Sequence, residues 1–148
     1  DTIDEVYRIV KDSLKNNNIS VEVSSISETE VYGYPREIMQ VFVNIINNAK
    51  DALVVKEGID KRIDISVYDN DGYVNTKICN NGESIGEDIV SKIFEPYFTT
   101  KDEKTGTGLG LYMSKMIIED HLNGVIKVLN MKEGVCFIVS LPKEKEMK

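Results

Sequence analysis

Positive charge is scarce in this chain of 148 residues, in which 25 Asp and Glu outnumber 18 Lys and Arg and give a formal net charge of -7. A nucleic-acid backbone and an anionic membrane surface both attract proteins through a basic surface. The acidic balance therefore argues against either one as the main partner. It also means that a polyanionic ligand would need a metal ion and local hydrogen-bond donors.

Long apolar runs are absent as well. No stretch reaches the length that crosses a bilayer, and the acidic start Asp1-Thr-Ile-Asp-Glu5 has the character of neither a signal peptide nor a transit peptide. These features predict a cytoplasmic domain that makes no direct membrane contact, although a longer parent protein could still be anchored in a membrane.

Cysteine is rare, with two residues in the whole chain. Cys79 and Cys136 each lie in an apolar, strand-like run, and no spacing typical of a metal site links them. We therefore predict two buried free thiols in a reducing compartment. With 41% hydrophobic residues, the chain is long enough for one domain with its own core, predicted over residues 1–142 and followed by a charged tail at 143–148.

Hydrophobic periodicity predicts an alternation of helices and strands. Helical spacing of Ile3, Val6, Tyr7, Val10 and Leu14 indicates a first helix. Pro35 is suited to the first turn of a second helix over Arg36 to Val55. The remaining predicted elements are short strands at Ile19–Val23 and Glu30–Tyr32, a hairpin of 62–68 and 73–79, a short helix at Glu87–Ile93, and a second hairpin of 124–129 and 135–141.

Three alternating glycines, Gly106, Gly108 and Gly110, run straight into an amphipathic helix. Glycine lets a ligand approach the backbone closely, and the first turn of a helix adds unpaired N–H donors. The motif suggests a phosphate cradle. A glycine-rich loop before a helix also serves as a plain turn, so this motif alone leaves both interpretations open.

The second helix carries polar residues beside its apolar stripe. Asn44, Asn48 and Asp51 fall together on one flank at 100° per residue. Asparagine is a poor helix former, so its repetition here has a propensity cost that a function could explain. Amide oxygens are suited to a hard cation such as Mg²⁺. The alternative is an ordinary polar flank of a surface helix.

A third candidate region follows the predicted strand 73–79. Asn80 stands at the strand end, and Gly82 and apolar Ile85 come after it, which would suit one directional hydrogen bond to a flat heterocycle. The charged segment Lys101–Thr105 then leads into the glycine loop without periodicity. It is either a mobile lid over phosphates or a solvated connector.

Four motifs together resemble the N, G1, F and G2 boxes of sensor histidine kinases in order and spacing. They are Asn44-x-x-x-Asn48-Ala, Asn80-Asn-Gly-x-x-Ile85, Phe94-Glu-Pro-Tyr-Phe-Thr-Thr-Lys101 and Gly106-Thr-Gly-Leu-Gly-Leu111. The resemblance covers essentially the whole chain. It implies an α/β fold, a two-layer sandwich in which a mixed sheet of about five strands packs under three helices, with a flexible ATP lid.

The resemblance also implies roles for individual residues. Asn48 would bind Mg²⁺, Asn44 would support the phosphates or the metal shell, and Asn80 would face the adenine amino group. Phe94 and Phe98 would anchor the lid. The full set of implied ATP contacts is Asn48, Asp51, Asn80, Gly82, Ile85, Phe98, Lys101, Lys104, Gly106, Thr107, Gly108, Leu109, Gly110 and Leu111.

As a histidine kinase domain, the chain would take part in two-component signal transduction. Its implied partners are ATP, a histidine-bearing dimerisation domain outside this chain and a cognate response regulator. His121, the one histidine, follows the glycine-loop helix and does not fit the role of acceptor, so the domain would bind nucleotide without phosphorylating itself. Hydrolases of the same superfamily carry Glu where Asn44 stands, so we expect negligible basal hydrolysis.

Three positions depart from the family pattern. Asp is usual where this chain has Asn80, Gly where it has Ser84, and a basic and aromatic pair where it has Asp51 and Ala52. An Asn amide can accept or donate, so Asn80 could also pair with a guanine carbonyl. Nucleotide binding would then be weaker or less selective for adenine. The alternative is a degenerate module that keeps the fold for protein contacts alone.

Overall fold

A computed structural model describes residues 2–25, 35–54, 58–70, 72–82, 84–96, 110–132 and 134–142 of the chain. The predicted strand Glu30–Tyr32, the charged segment Lys101–Thr105 and the tail 143–148 lie outside these residues.

A mixed sheet forms one layer of the domain. Its strands are β1 (Ser20–Ser25), β2 (Arg62–Asn70), β3 (Tyr73–Asn80), β4 (Val125–Met131) and β5 (Gly134–Pro142). They are arranged in the order β1-β2-β3-β5-β4, with β1 parallel to β2 and every other pair antiparallel. Both predicted hairpins are present, and the predicted five-stranded mixed sheet is confirmed.

Helices form the second layer. They are α1 (Thr2–Asn16), α2 (Pro35–Val54), the single turn α3 (Glu87–Val90) and α4 (Gly110–Lys115), which continues as a π-helical segment, Met116–His121. The prediction that α3 extends to Ile93 is wrong. Beyond Val90 the chain forms successive turns, because the Ser91 hydroxyl bonds the Asp88 carbonyl at 2.9 Å and Lys92 N–H bonds only three residues back, to Ile89.

The core lies between the sheet and the helices. Alternate residues of the central strands face the helices, as the period of a strand requires. The predicted apolar stripe of α2 is buried against them. From the predicted stripe of α1, Val6, Val10 and Leu14 are buried, whereas Tyr7 is exposed. The core includes Val6, Val10, Leu14, Phe42, Ile45, Ala49, Leu53, Ile63, Ile65, Ile78, Ile118, Phe137 and Val139.

The prediction of two free thiols is wrong, because Cys79 and Cys136 form a disulfide. The two residues are directly opposite each other in the antiparallel pairing of β3 with β5. Cys79 follows the core residue Ile78 and Cys136 precedes the core residue Phe137, so both cysteines lie on the sheet face away from the helices. The pairing joins positions 57 residues apart and depends on strand register, which spacing along the chain does not reveal. The cysteines therefore give no support for a reducing compartment.

None of the helices in the described ranges has both the length and the low polarity that a bilayer-spanning helix needs.

Candidate functional site

Helix α2 carries three residues of the candidate site. Asn44, Asn48 and Asp51 are each half-buried, as expected for side chains on a flank beside the core stripe. The helix rises by about 13 Å between Asn44 and Leu53. One end of this stretch contacts the helix that follows the glycine loop, and the other contacts the end of β3.

Asn44 joins α2 to the first turns of α4. Its Nδ2 donates to the buried Ser114 hydroxyl at 3.2 Å and to the Gly110 carbonyl at 3.5 Å. Its Oδ1 accepts a hydrogen bond from Gln40 Nε2 at 3.0 Å. Both sides of the amide are therefore engaged within the protein. This geometry fixes where the helix after the glycine loop begins relative to α2.

Asn48 lies one turn further along the same flank. Its side chain makes no hydrogen bond to any residue that the structure describes, so its amide oxygen is available to a ligand. Asp51, three residues on, is also half-buried and already takes part in an interaction within the protein.

A metal held by protein groups alone does not suit this site. Within the described ranges, no three His, Cys, Asp or Glu side chains are grouped so as to hold an ion. Magnesium, however, is usually bound by one or two protein oxygens together with substrate phosphates and waters. A single available amide oxygen at Asn48 fits that pattern, in which the ion arrives with a polyphosphate.

The C-terminal end of α2 contacts the end of β3. Asn80, the last residue of β3, is buried, and its Oδ1 accepts a hydrogen bond from Gly82 N–H at 3.0 Å. A Cβ added at Gly82 would lie 3.0 Å from that oxygen, 3.5 Å from Leu53 Cδ2 and 3.7 Å from the Ala52 carbonyl. The loop after β3 thus packs closely against the last turn of α2.

Asn81, which follows Asn80, has a structural role. Its Oδ1 accepts a hydrogen bond from Arg62 N–H at 2.7 Å, and its Nδ2 donates to the Asp60 carbonyl at 2.6 Å. These bonds tie the end of β3 to the start of β2. Of the two adjacent asparagines, only Asn80 is directed toward α2.

Asn130 of β4 holds the next part of this loop. Its Oδ1 accepts from Ile85 N–H at 2.9 Å, and its Nδ2 donates to the Ile85 carbonyl. The Ser84 hydroxyl bonds the carbonyls of Met131 and Lys132, so it is directed to the turn after β4. Sequence reasoning missed Asn130, because it is 45 residues from Ile85 and no local pattern marks it.

We expect Asn130→Ala to lower the free energy of unfolding by about 1–2 kcal/mol, since two backbone groups of Ile85 lose their partner. Urea denaturation measures the change. Asn130→Asp is a second variant. Its carboxylate still accepts from Ile85 N–H but places its other oxygen against the Ile85 carbonyl, so its loss is expected to be at least as large. Equal midpoints for wild type and Asn130→Ala would contradict this role.

Phe94, the first residue of the predicted F motif, packs against the core. Its ring packs edge to face on Phe137, with centroids 6.2 Å apart and an interplanar angle of 86°. Lys115 Nζ lies 5.1 Å from the centroid of Phe94 and 3.6 Å from Glu119 Oε1. The start of this segment is therefore held between the sheet and the helix after the glycine loop.

Two predicted contacts of the glycine motif are described, the exposed Gly110 and the half-buried Leu111 at the start of α4. The others stay predictions because they lie outside the described residues: Phe98, Lys101, Lys104, Gly106, Thr107, Gly108 and Leu109.

The fold and the site together define a class of protein. It is a two-layer α/β domain in which one end of the second helix contacts the helix that begins at Gly110, and the other end packs against the loop after a buried amide at a strand end. A family model described as histidine kinase-, DNA gyrase B-, and HSP90-like ATPase matches residues 33–145. The catalytic domain of histidine kinase ThkA, in a nucleotide-free form, is 36% identical with a TM-score of 0.83, covering 96% of this chain and 90% of that one. The chain belongs to this ATPase family and, within it, to the catalytic domains of sensor histidine kinases.

Two further similarities are to longer proteins. Sporulation kinase A of Bacillus subtilis (strain 168) is 34% identical over 145 residues, which are 96% of this chain and 23% of that kinase. Histidine kinase ThkA in complex with response regulator protein TrrA is 31% identical with a TM-score of 0.79, covering 97% of this chain and 40% of that one. The chain thus spans less than a quarter of the length of sporulation kinase A.

Proposed function

We propose that this domain binds Mg-ATP and positions the γ-phosphate for transfer to a histidine on a dimerisation domain elsewhere in the parent protein. The observation that carries the proposal is the arrangement of the site residues along α2. Asn44 holds the helix of the glycine loop at one end of it, the Asn80 and Gly82 loop packs on its other end, and the available Asn48 amide lies between them.

Each part of the site has a proposed task. Asn80, Gly82 and Ile85 form the base pocket, and Asn48 takes the metal and phosphates, with Asp51 beside it. Asn44 positions the helix whose start presents backbone N–H groups. We propose that Gly110 and Leu111 at the start of α4 also contact ATP. So do seven predicted residues that lie outside the described ranges: Phe98, Lys101, Lys104, Gly106, Thr107, Gly108 and Leu109.

Phosphoryl transfer depends mainly on positioning and on neutralising charge, so this domain needs no nucleophile of its own. Magnesium held at Asn48 would supply positive charge that neutralises the phosphates. The acidic chain supplies few cations for that purpose, which is why a metal and backbone donors are central to the proposal.

The phosphate acceptor is proposed to be a histidine outside this chain. His121 ends the π-helical segment, and its Nδ1 lies 2.6 Å from Glu37 Oε2 in the first turn of α2. It is therefore engaged in a contact between two helices. Incubating the domain alone with labelled ATP should leave the protein unlabelled.

We expect the domain to hydrolyse ATP negligibly. A hydrolase needs a base to activate water, and the amide of Asn44 cannot act as one. That amide is also fully occupied by Gln40 and Ser114. A phosphate-release assay with Mg-ATP should give a rate indistinguishable from that of buffer. Steady turnover by the isolated domain would contradict this expectation.

A response regulator is the proposed downstream partner, supported by the likeness to ThkA in complex with response regulator protein TrrA. We propose a cytoplasmic location, since the substrate is ATP. Thiol reductants would act on the Cys79–Cys136 pair in that compartment.

Titration calorimetry of the domain with Mg-ATP and with a nonhydrolysable analogue tests the proposal. Binding that disappears when the metal is chelated would support it. No heat at millimolar nucleotide would contradict it and favour the degenerate module. No contact in the described site favours that alternative, because the amide of Asn48 remains available and the base loop is held in place.

A further inference from the structure

The orientation of the Asn80 amide is set by its own loop. Gly82 N–H lies 3.0 Å from one atom of that amide. A backbone N–H can only donate, so the atom that it meets must be the oxygen. Turning the amide over would place two donors against each other. The amide nitrogen, Nδ2, is therefore directed away from the loop.

This orientation is held by the surroundings of the loop. Gly82 packs against Leu53 and Ala52 at the end of α2. Asn130 holds Ile85 through both of its backbone groups, and Asn81 ties the strand end to β2. The Gly82 N–H therefore stays where it fixes the Asn80 oxygen.

The Nδ2 group is left without a protein partner. Asn80 is 7% exposed, and within the described ranges its single side-chain hydrogen bond is the one from Gly82. No fully buried side-chain nitrogen or oxygen in those ranges lacks a partner. Nδ2 must therefore open onto accessible space, where it offers two N–H donors and no acceptor.

A carboxylate at this position would behave differently. One oxygen could accept from Gly82 N–H while the other accepted from the amino group of a base. An amide has a single oxygen, and Gly82 already occupies it. The group that remains for a bound base therefore changes from an acceptor to a donor.

Building on the nucleotide site proposed above, we infer that Asn80 is a specificity-determining residue that admits 6-oxopurine nucleotides. The N–H donors of Nδ2 match the carbonyl at position 6 of guanine or hypoxanthine and oppose the amino group of adenine. A 6-oxopurine nucleotide gains a hydrogen bond from Nδ2, whereas an adenine nucleotide leaves that donor unmatched. We expect their affinities to differ by about tenfold or more.

Calorimetry with Mg-ATP, Mg-GTP and Mg-ITP on wild type and on Asn80→Asp tests this inference. ITP carries the carbonyl at position 6 without the 2-amino group of GTP, so comparing ITP with ATP confines the change to position 6 and the adjacent N1, which bears a hydrogen in ITP. We expect wild type to bind ITP at least as tightly as ATP. Asn80→Asp should shift the ratio of the ITP and ATP dissociation constants at least tenfold toward ATP.

Wild type that binds ATP more tightly than ITP would overturn the inference while leaving the nucleotide site intact. The wild-type ratio decides this by itself if Asn80→Asp fails to fold. An unchanged ratio in a folded Asn80→Asp would also overturn it. Absence of binding by all three nucleotides would overturn the proposed function and this inference with it.

Discussion

Replacing Asn48 with alanine is expected to weaken Mg-ATP binding by about a hundredfold. Asn48 is half-buried on the flank of α2, between the two ends of the proposed site, and no described residue occupies its amide. Its oxygen would face a divalent cation and phosphates, and hydrogen bonds or contacts to charged groups are worth up to about 3 kcal/mol. Calorimetric titration of the variant with Mg-ATP measures the loss.

Asn47→Ala is the matched control for this experiment. Asn47 is the same residue type, is also half-buried and is one position away on α2, but it lies 100° around the helix from Asn48. Its replacement should change nucleotide affinity by no more than about twofold. Equal losses in the two variants would indicate a general disturbance of α2. An unchanged affinity in Asn48→Ala would remove Asn48 from the metal and phosphate site.

Replacing Gly134 with alanine is expected to lower the free energy of unfolding by about 3 kcal/mol or more. Gly134 begins β5 with a φ of +122°, a conformation that side chains rarely adopt. A Cβ there would lie 1.9 Å from the Asn80 carbonyl oxygen and 3.2 Å from Asn81 Cα. Both clashing groups are backbone, so they cannot move aside without disrupting the pairing of β3 with β5. Urea denaturation measures the effect.

Gly72→Ala provides the control. Gly72 also has a positive φ, +83°, but nothing lies within 4 Å of its added Cβ. Its replacement should cost only backbone strain, about 1 kcal/mol. The further loss of unfolding free energy in Gly134→Ala, beyond that in Gly72→Ala, then measures the clash at the end of β3. Similar losses in both variants would show that Asn80 does not approach Gly134 as closely as described.

Gly134→Ala should also weaken nucleotide binding if the protein remains folded, because the displaced Asn80 carbonyl belongs to the residue that forms the proposed base pocket. Strand pairing and the pocket are thus coupled through one glycine. The sequence indicates a turn near Gly134. It does not indicate that the Asn80 carbonyl occupies the space that a side chain at Gly134 would fill.

The elements of this fold were largely predictable because their signals are local. The apolar stripe of α2 at helical spacing and the alternation along β2 and β3 arise from residues within a few positions of each other. The end of α3 was predicted three residues too late. Its periodicity continues past Val90, but side-chain and backbone bonds around Ser91 favour turns.

The candidate site was predictable only in part. Asn44, Asn48 and Asn80 could be selected because each is unusual in its local setting. Their different situations could not be predicted: Asn44 is occupied by Gln40 and Ser114, Asn48 is available, and the oxygen of Asn80 is taken by Gly82. No sequence pattern near the site indicated that Asn130 holds Ile85 through its backbone groups.

The sequence by itself determined the order of helices and strands, the apolar faces that build the core, and four motifs that identify the family. Each of these depends on residue type and short spacing. Tertiary structure alone decided that Cys79 is opposite Cys136, that Asn44 reaches Ser114, and that Gly82 fixes the amide of Asn80 against the end of α2. Strand register and helix packing bring these groups together, and both are set by the whole core.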